Sequence, residues 1–309
     1  MSTLAIVIPL YKIDFFKFTL ESLANQTCKD FTVYLGDDCS KDDFKTLVEQ
    51  YKDRLDIHYT RFDENLGGKD LVAQWNRCIA LVHDEPWIWL FSDDDVMDCQ
   101  CVERFYDTVS DDYDVYHYNV KVIDETNSIV RSMNAFPEVI TSEELYKGKS
   151  TNQLNSFVVE YIFRRELFER SGGFEWYDLA WNTDLATWIK LGQEKGIKTI
   201  HESCVMWRES GVNITPNHDN LMVYRKMLID VDFIAWTNKF FHSSSIRKFN
   251  HYALFRLLTS YSNILTYKQI AEILNKAVSL NVVNTAYRFF VKLGYPFISL
   301  ARKIKHLKD

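Results

Sequence analysis

Four short apolar runs, each closed by polar turn residues, constrain what this chain can fold into more than any other feature. They are Leu4-Ala-Ile-Val-Ile-Pro9, Phe31-Thr-Val-Tyr-Leu35, Ile57-His-Tyr-Thr60 and Trp87-Ile-Trp-Leu-Phe91. Residues that are apolar in succession, rather than alternately, suit strands buried on both faces. Between them, Asp14 to Gln26 (with Phe15, Phe18 and Leu23), Phe44 to Tyr51 and Asn65 to about Val82 read as helices. This β-α-β-α-β-α-β rhythm predicts an α/β fold with a mostly parallel central sheet and flanking helices. Right-handed crossovers bring the strands' carboxyl ends to one edge, where open α/β sheets bind ligands. Pro9-Leu-Tyr11, Gly36-Asp37-Asp38 and Ser92-Asp93-Asp94-Asp95 all fall at that edge.

Beyond this region the pattern changes. Val115, His117, Asn119 and Lys121 belong to an alternating stretch from Tyr113 to Val130, which suits added strands. Phe157 to Phe163 reads as another strand and Thr183 to Gln193 as a helix. From about Asn217 onward the chain reads as almost wholly helical.

Charge divides the chain in the same place. The 309 residues carry a net −7, but residues 1–240 hold 25 basic and 41 acidic side chains, and residues 241–309 hold 11 and two. The acid excess argues against a general nucleic-acid binder, which needs a basic face for phosphates. With only 10 Gly and 5 Pro and 15% aromatic residues, collagen-like, low-complexity and disordered classes are excluded. Met1 to Leu10 has no basic region ahead of its apolar run, unlike a signal peptide, and no stretch reaches the ~18 apolar residues of a membrane span. The expected location is cytoplasmic. Cys28, Cys39, Cys78, Cys99, Cys101 and Cys204 lack the paired spacing of a zinc site and read as free thiols.

Asp93, Asp94 and Asp95 should repel one another unless a cation neutralises them. Oxygen-only ligation favours a hard ion, Mn2+ or Mg2+. The competing reading is that Asp94 and Asp95 cap a helix starting near Asp98.

In matching order, these elements resemble the inverting family-two glycosyltransferases of GT-A fold, bacterial polysaccharide type, from about Leu4 to Ile214. Pro9-x-Tyr11, Gly36-Asp37-Asp38-Cys39-Ser40, Asn65-x-Gly67 with Trp75-Asn76, and Phe91 to Asp95 match the family's P-x-Y, D-D-G-S, N-x-G with R-N, and D-x-D elements. Gly172-Gly173-Phe174 and Asn182-Thr183-Asp184 resemble its G-G-F turn and downstream acidic motif. The resemblance implies a GT-A catalytic domain over 1–216, with a nucleotide-sugar half (1–110) and an acceptor half (111–216). A helical, basic region follows over 217–309.

By resemblance, Pro9, Tyr11, Asp37, Asp38, Asn65, Gly67 and Asp93 would bind the nucleotide-sugar. Asp94 or Asp95 would hold the metal, with the pair Asp93/Asp95 as the other alignment. Arg208 would approach the diphosphate. Asp184 would be the general base, with Gly173, Trp176 and Trp181 near acceptor or sugar. Cys39 stands where Gly is usual, Ser92 at the first acidic position, and Thr183 where an acid usually precedes the base. Ser210 stands where the family has His, leaving His218 as a fallback ligand. The activity implied is metal-dependent transfer of a sugar, hexosyl or N-acetylhexosaminyl, from a nucleotide-sugar (UDP-sugar first) to a saccharide or lipid-linked saccharide. Cell-surface polysaccharide or glycolipid assembly is the setting. A sugar nucleotidyltransferase, or a binding protein without turnover, are the rival readings. The basic amphipathic stretch from Tyr287 to Lys305 either lies on an anionic membrane surface or packs on the catalytic domain with a solvated basic end.

Overall fold

A computed structural model describes residues 2–209 and 219–306, with side chains to Tyr295; Ser210 and His218 lie outside the described residues. The chain divides into two compact units, Met1–Val212 and Asn213–Asp309.

In the first unit the expected rhythm is realised. Strand β1 (Leu4–Leu10) is followed by α1 (Phe16–Ala24), β2 (Thr32–Asp37), α2 (Phe44–Glu49), β3 (Ile57–Arg61), α3 (Leu71–Ile79) and β4 (Trp87–Leu90). Strands β1, β2 and β4 are buried almost throughout, as runs apolar in succession require. Helix α1 buries Phe16, Leu20 and Leu23, three to four residues apart, against the same core.

The remainder of the unit is β5 (Val96–Met97), α4 (Cys101–Thr108), β6 (Val115–Ile123), β7 (Ile129–Ser132), β8 (Val139–Ile140), α5 (Ser142–Ser150), β9 (Tyr161–Arg164), α6 (Arg165–Arg170), a 3-10 turn at Asp178–Ala180, α7 (Thr183–Leu191) and β10 (Ile197–Arg208). The sheet order is β3-β2-β1-β4-β9-β6-β10-β5, with β7 on β6 and β8 on β10. Strands β1 to β4, β6 and β10 run one way, as a mostly parallel sheet requires. Strand β9 is inserted antiparallel between β4 and β6, which makes the sheet mixed. The strand expected from Phe157 begins only at Tyr161, and residues 157–160 form the loop into it. The helix expected near Asp98 starts at Cys101, after β5. Strand β10 breaks at His201-Glu202-Ser203, where Glu202 takes φ 64° and the register on β6 shifts.

Among the described residues the second unit contains four helices: α8 (Asn220–Phe241), α9 (Ser244–Ser260), α10 (Tyr267–Ser279) and α11 (Thr285–His306). Val223, Met227, Val231, Leu254, Leu258, Ile270 and Ile273 form part of its own core.

Candidate active site

The loops after β1, β2 and β4 are tied into one edge by carboxylates that accept backbone amides. Asp93 Oδ2 accepts the Tyr11 and Lys12 amides at 2.8 and 3.0 Å. Ser40 Oγ donates to Tyr11 O at 2.7 Å, and Asp42 Oδ2 accepts the Ile13 amide at 3.3 Å. The expected convergence of strand ends is therefore physical contact. Tyr11 itself stays exposed on the rim.

Asp37 and Asp38 are buried, and each carboxylate oxygen already accepts a protein donor. Asp37 takes Ser40 N at 2.8 Å, Tyr59 OH at 2.5 Å and Arg61 Nη1 at 2.7 Å. Asp38 takes Asn65 Nδ2, Leu66 N and Gly67 N at 3.0, 2.7 and 2.8 Å, together with Arg77 Nη2. Side chains expected to face a nucleotide thus first fold the loop that would receive it. A Cβ on Gly67 would stand 2.7 Å from Asp38 Oδ2, so this amide reaches the carboxylate only because residue 67 is glycine. Cys39 adopts φ 54°, the left-handed backbone that glycine would take more easily. Arg61, Tyr59 and Arg77 are absent from the sequence reading. Arg77 directly follows Trp75-Asn76, but a lone Arg in the last turn of α3 reads as a helix-dipole complement.

The three acidic residues of the β4 end have three different environments. Burial and the neighbouring Asp94 charge push Asp93 up to about 7, against the pull of the Tyr11 and Lys12 amides. Asp95 is buried; its Oδ1 accepts Arg208 N at 2.7 Å and its carbonyl accepts Thr19 Oγ1 at 2.8 Å. Burial raises it well above the usual carboxylate range. Asp94 has one side-chain partner among the described residues, Ser92 Oγ at 2.6 Å. Of the two residues expected to hold the metal, Asp95 gives one oxygen, Oδ1, to a backbone amide, whereas Asp94 accepts, among the described residues, only the neighbouring Ser92 hydroxyl. No cluster of three or more His, Cys, Asp or Glu among the described residues could hold an ion. Ser92, the departure at the first acidic position, orients Asp94.

Arg208 also departs from expectation. Rather than facing open space for a diphosphate, its side chain is fully buried. Its guanidinium donates to Asp94 O at 2.7 Å, Asp124 O at 2.6 Å and Asn127 Oδ1 at 2.5 Å, and stacks 4.5 Å from the Phe15 ring. It fastens the acidic loop to the β6–β7 turn and to the start of α1.

On the acceptor side, Asp184 sits in the first turn of α7. Burial raises its pKa, opposed by Lys149 and by the Leu185 and Asp184 amides. Among the described residues its carboxylate bonds to no other side chain, which leaves it able to accept a substrate proton. Thr183, where the family has an acid, is buried and accepts the Tyr177 amide at 3.2 Å. Gly172 and Gly173 take φ 86° and 79°, so this turn requires glycine. The turn meets α3: Phe174 packs on Trp75 at 5.4 Å, and Trp176, 61% exposed, donates to Asp70 Oδ2 at 3.0 Å. Trp181 is half-buried just ahead of α7.

The model of Glycosyl transferase family 2 matches residues 5–172. The chain belongs to glycosyl transferase family 2. Its enzymes are glycosyltransferases, which removes the nucleotidyltransferase alternative. Among solved structures, the Staphylococcus aureus TarS fragment 1–349 in complex with UDP-GlcNAc is 15% identical, with TM-score 0.58 over 96% of this chain and 92% of that one. The mannosyltransferase PcManGT from Pyrobaculum calidifontis, in complex with GDP-Man and Mn2+, is 13% identical, with TM-score 0.54 over 98% and 87%. At such identities the likeness establishes the GT-A fold. No curated protein matches the chain.

Proposed function

We propose that this family-two enzyme is an inverting, metal-dependent glycosyltransferase that moves one sugar from a UDP-sugar to a hydroxyl of a saccharide or lipid-linked saccharide. The observation that carries the reading is the division of labour among the carboxylates. Asp93 and Asp95 each give one oxygen to amides of other loops, while Asp94 and Asp184 accept no amide from outside their own segments. The donor would lie along Pro9 to Tyr11 and Asn65 to Gly67, on loops held by Asp38 and Asp93. Asp94 would hold Mn2+ or Mg2+, whose oxygen preference a carboxylate meets; when bound, the ion offsets the charge of the departing diphosphate. Asp184 removes the acceptor proton as the hydroxyl attacks in line, and a single displacement inverts the anomeric centre. Trp176 and Trp181 would flank the sugars.

TarS was crystallised with UDP-GlcNAc and PcManGT with GDP-Man and Mn2+, which supports a nucleotide-sugar donor and a divalent ion. Cell-surface polysaccharide or glycolipid assembly, at the cytoplasmic face of a membrane, is the setting this reading favours. No helix among the described residues is long and apolar enough to cross a membrane. On α11, Phe289, Phe290 and Leu293 are exposed beside Arg288 and Lys292, a composition suited to peripheral contact with anionic lipid.

The test is a panel of UDP- and GDP-sugars with saccharide acceptors, in Mn2+, Mg2+ or EDTA, scored for nucleoside diphosphate release. Asp184→Asn should abolish transfer while retaining UDP affinity. Full transfer by clean Asp184→Asn protein removes Asp184 as the base, and undiminished turnover in EDTA removes the metal.

A further inference from the structure

Two titratable side chains that no sequence motif marks lie within electrostatic reach of Asp184. Lys149 closes α5, and its ammonium donates to Ser156 O at 2.8 Å. Glu160 lies in the loop before β9, nearly fully buried; its Oε1 accepts the Phe157 amide at 2.6 Å, and its buried Oε2 has no hydrogen-bond partner. The loop that joins them runs along the face of α7 that carries the base. Trp188, one turn after Asp184, donates from Nε1 to Phe157 O at 3.3 Å. Ser156 Oγ and Tyr161 OH are 2.8 Å apart, and the Tyr161 ring stacks on Trp188 at 4.5 Å. Ser142 Oγ ties α5 to α7 through Ile189 O at 2.7 Å.

We propose that Lys149 and Glu160 are positioning residues for the base: the Lys149 ammonium holds Asp184 ionised, and Glu160 stays protonated so that the ammonium serves one carboxylate. This rests on Asp184 being the base of the proposed function. The geometry explains the asymmetry. Asp184 has helix amides to stabilise its charge, whereas an ionised Glu160 would leave Oε2 charged, buried and without a donor. The electrostatics agree. Burial lifts Glu160 to about 8, and Lys149 favours the charged form of both carboxyls. The facing titratable groups are few. Lys149 comes from α5, Glu160 and Tyr161 from the β9 side, and Asp184 from α7. Tyr161 is held neutral by burial. His117 on β6, 5.5 Å from the Tyr161 ring, is kept uncharged by burial that lowers it to about 4. Lys149 is the one basic side chain in this set; burial lowers its pKa, and Asp184 and Glu160 oppose that fall. Two carboxyls that share one cation need not both ionise, and burial disfavours the charged form of the one without donors.

The experiment is a pH titration of side-chain carboxyl carbons by NMR, which needs no substrate. Asp184→Asn and Glu160→Gln assign the two signals. Lys149→Met should move the Asp184 midpoint to higher pH by about one unit. Lys149→Arg should return it towards wild type, and Glu160→Gln should leave it in place. An unmoved Asp184 midpoint in folded Lys149→Met protein overturns the proposal. So does a wild-type Glu160 signal already ionised at pH 7, a readout made on the unaltered Lys149 site. Failure of the base itself reads out separately, as transfer by Asp184→Asn.

Discussion

Replacing Arg208 by Met separates two roles that the sequence alone assigns to one side chain. If Arg208 faced the diphosphate, its loss would weaken UDP binding and leave folding intact. The Arg208 side chain is buried, and its loss removes the donor from Asp94 O, Asp124 O and Asn127 Oδ1, of which the first two are partly covered and Asn127 is exposed. Methionine keeps part of the apolar stem against Phe15 but supplies no donor. Hydrogen bonds to a charged group contribute about 1.5–3 kcal/mol each, and with the Asn127 end open to water the loss of the set is about 3–5 kcal/mol. For a unit of this size each kcal/mol lowers the unfolding midpoint by about 2–4 °C, so the expected fall is about 10 °C. Differential scanning calorimetry reads it, with UDP titration calorimetry in Mn2+ as the partner measurement. The ion's affinity should weaken as well, because the Asp94 backbone loses its anchor. An unchanged midpoint with a purely reduced UDP affinity would refute the buried-anchor account and restore the diphosphate contact.

Four further outcomes are expected. Asp94→Asn should lose Mn2+-dependent UDP binding with an unfolding midpoint near wild type, whereas Asp95→Ala should lower that midpoint by several degrees, because it removes the acceptor of the Arg208 amide. Gly67→Ala should weaken UDP binding, since its Cβ would stand 2.7 Å from Asp38 Oδ2 and displace the loop; binding equal to wild type would show that this loop does not shape the donor site. Glu160, raised from 4.5 to about 8 in the folded state, favours folding less as pH rises across that window, because the unfolded chain ionises first. Glu160→Gln should therefore match wild type near pH 4 and exceed it above pH 8, by up to roughly 5 kcal/mol, as urea midpoints across pH will show. Replacing the exposed Phe289, Phe290 and Leu293 by Asp should abolish flotation with anionic liposomes; equal flotation removes α11 as the membrane contact.

The parts of this site legible in the sequence are those where one local rule dominates. Runs such as Leu4 to Pro9 have to be buried strands, and the polar residues after them have to reach the sheet's carboxyl edge. What stayed hidden was set by pairings distant in sequence. Strand β10 reads poorly because His201-Glu202-Ser203 interrupts it at a bulge, yet its last residue anchors a loop 114 positions earlier. Direction is hidden too: nothing in Tyr161–Arg164 states that β9 inserts antiparallel beside β4. A sequence displays where carboxylates cluster but not which are already satisfied, and satisfaction decides chemistry. Asp37, Asp38, Asp93 and Asp95 accept amides, hydroxyls or guanidinium groups that hold loops in place, and apart from the Ser40 amide those donors lie outside the acidic motifs. Asp94 and Asp184 are functional candidates because the fold leaves them under-coordinated. The acidic residues of this chain are therefore better read as loop supports in unequal environments than as a set of equivalent ligands.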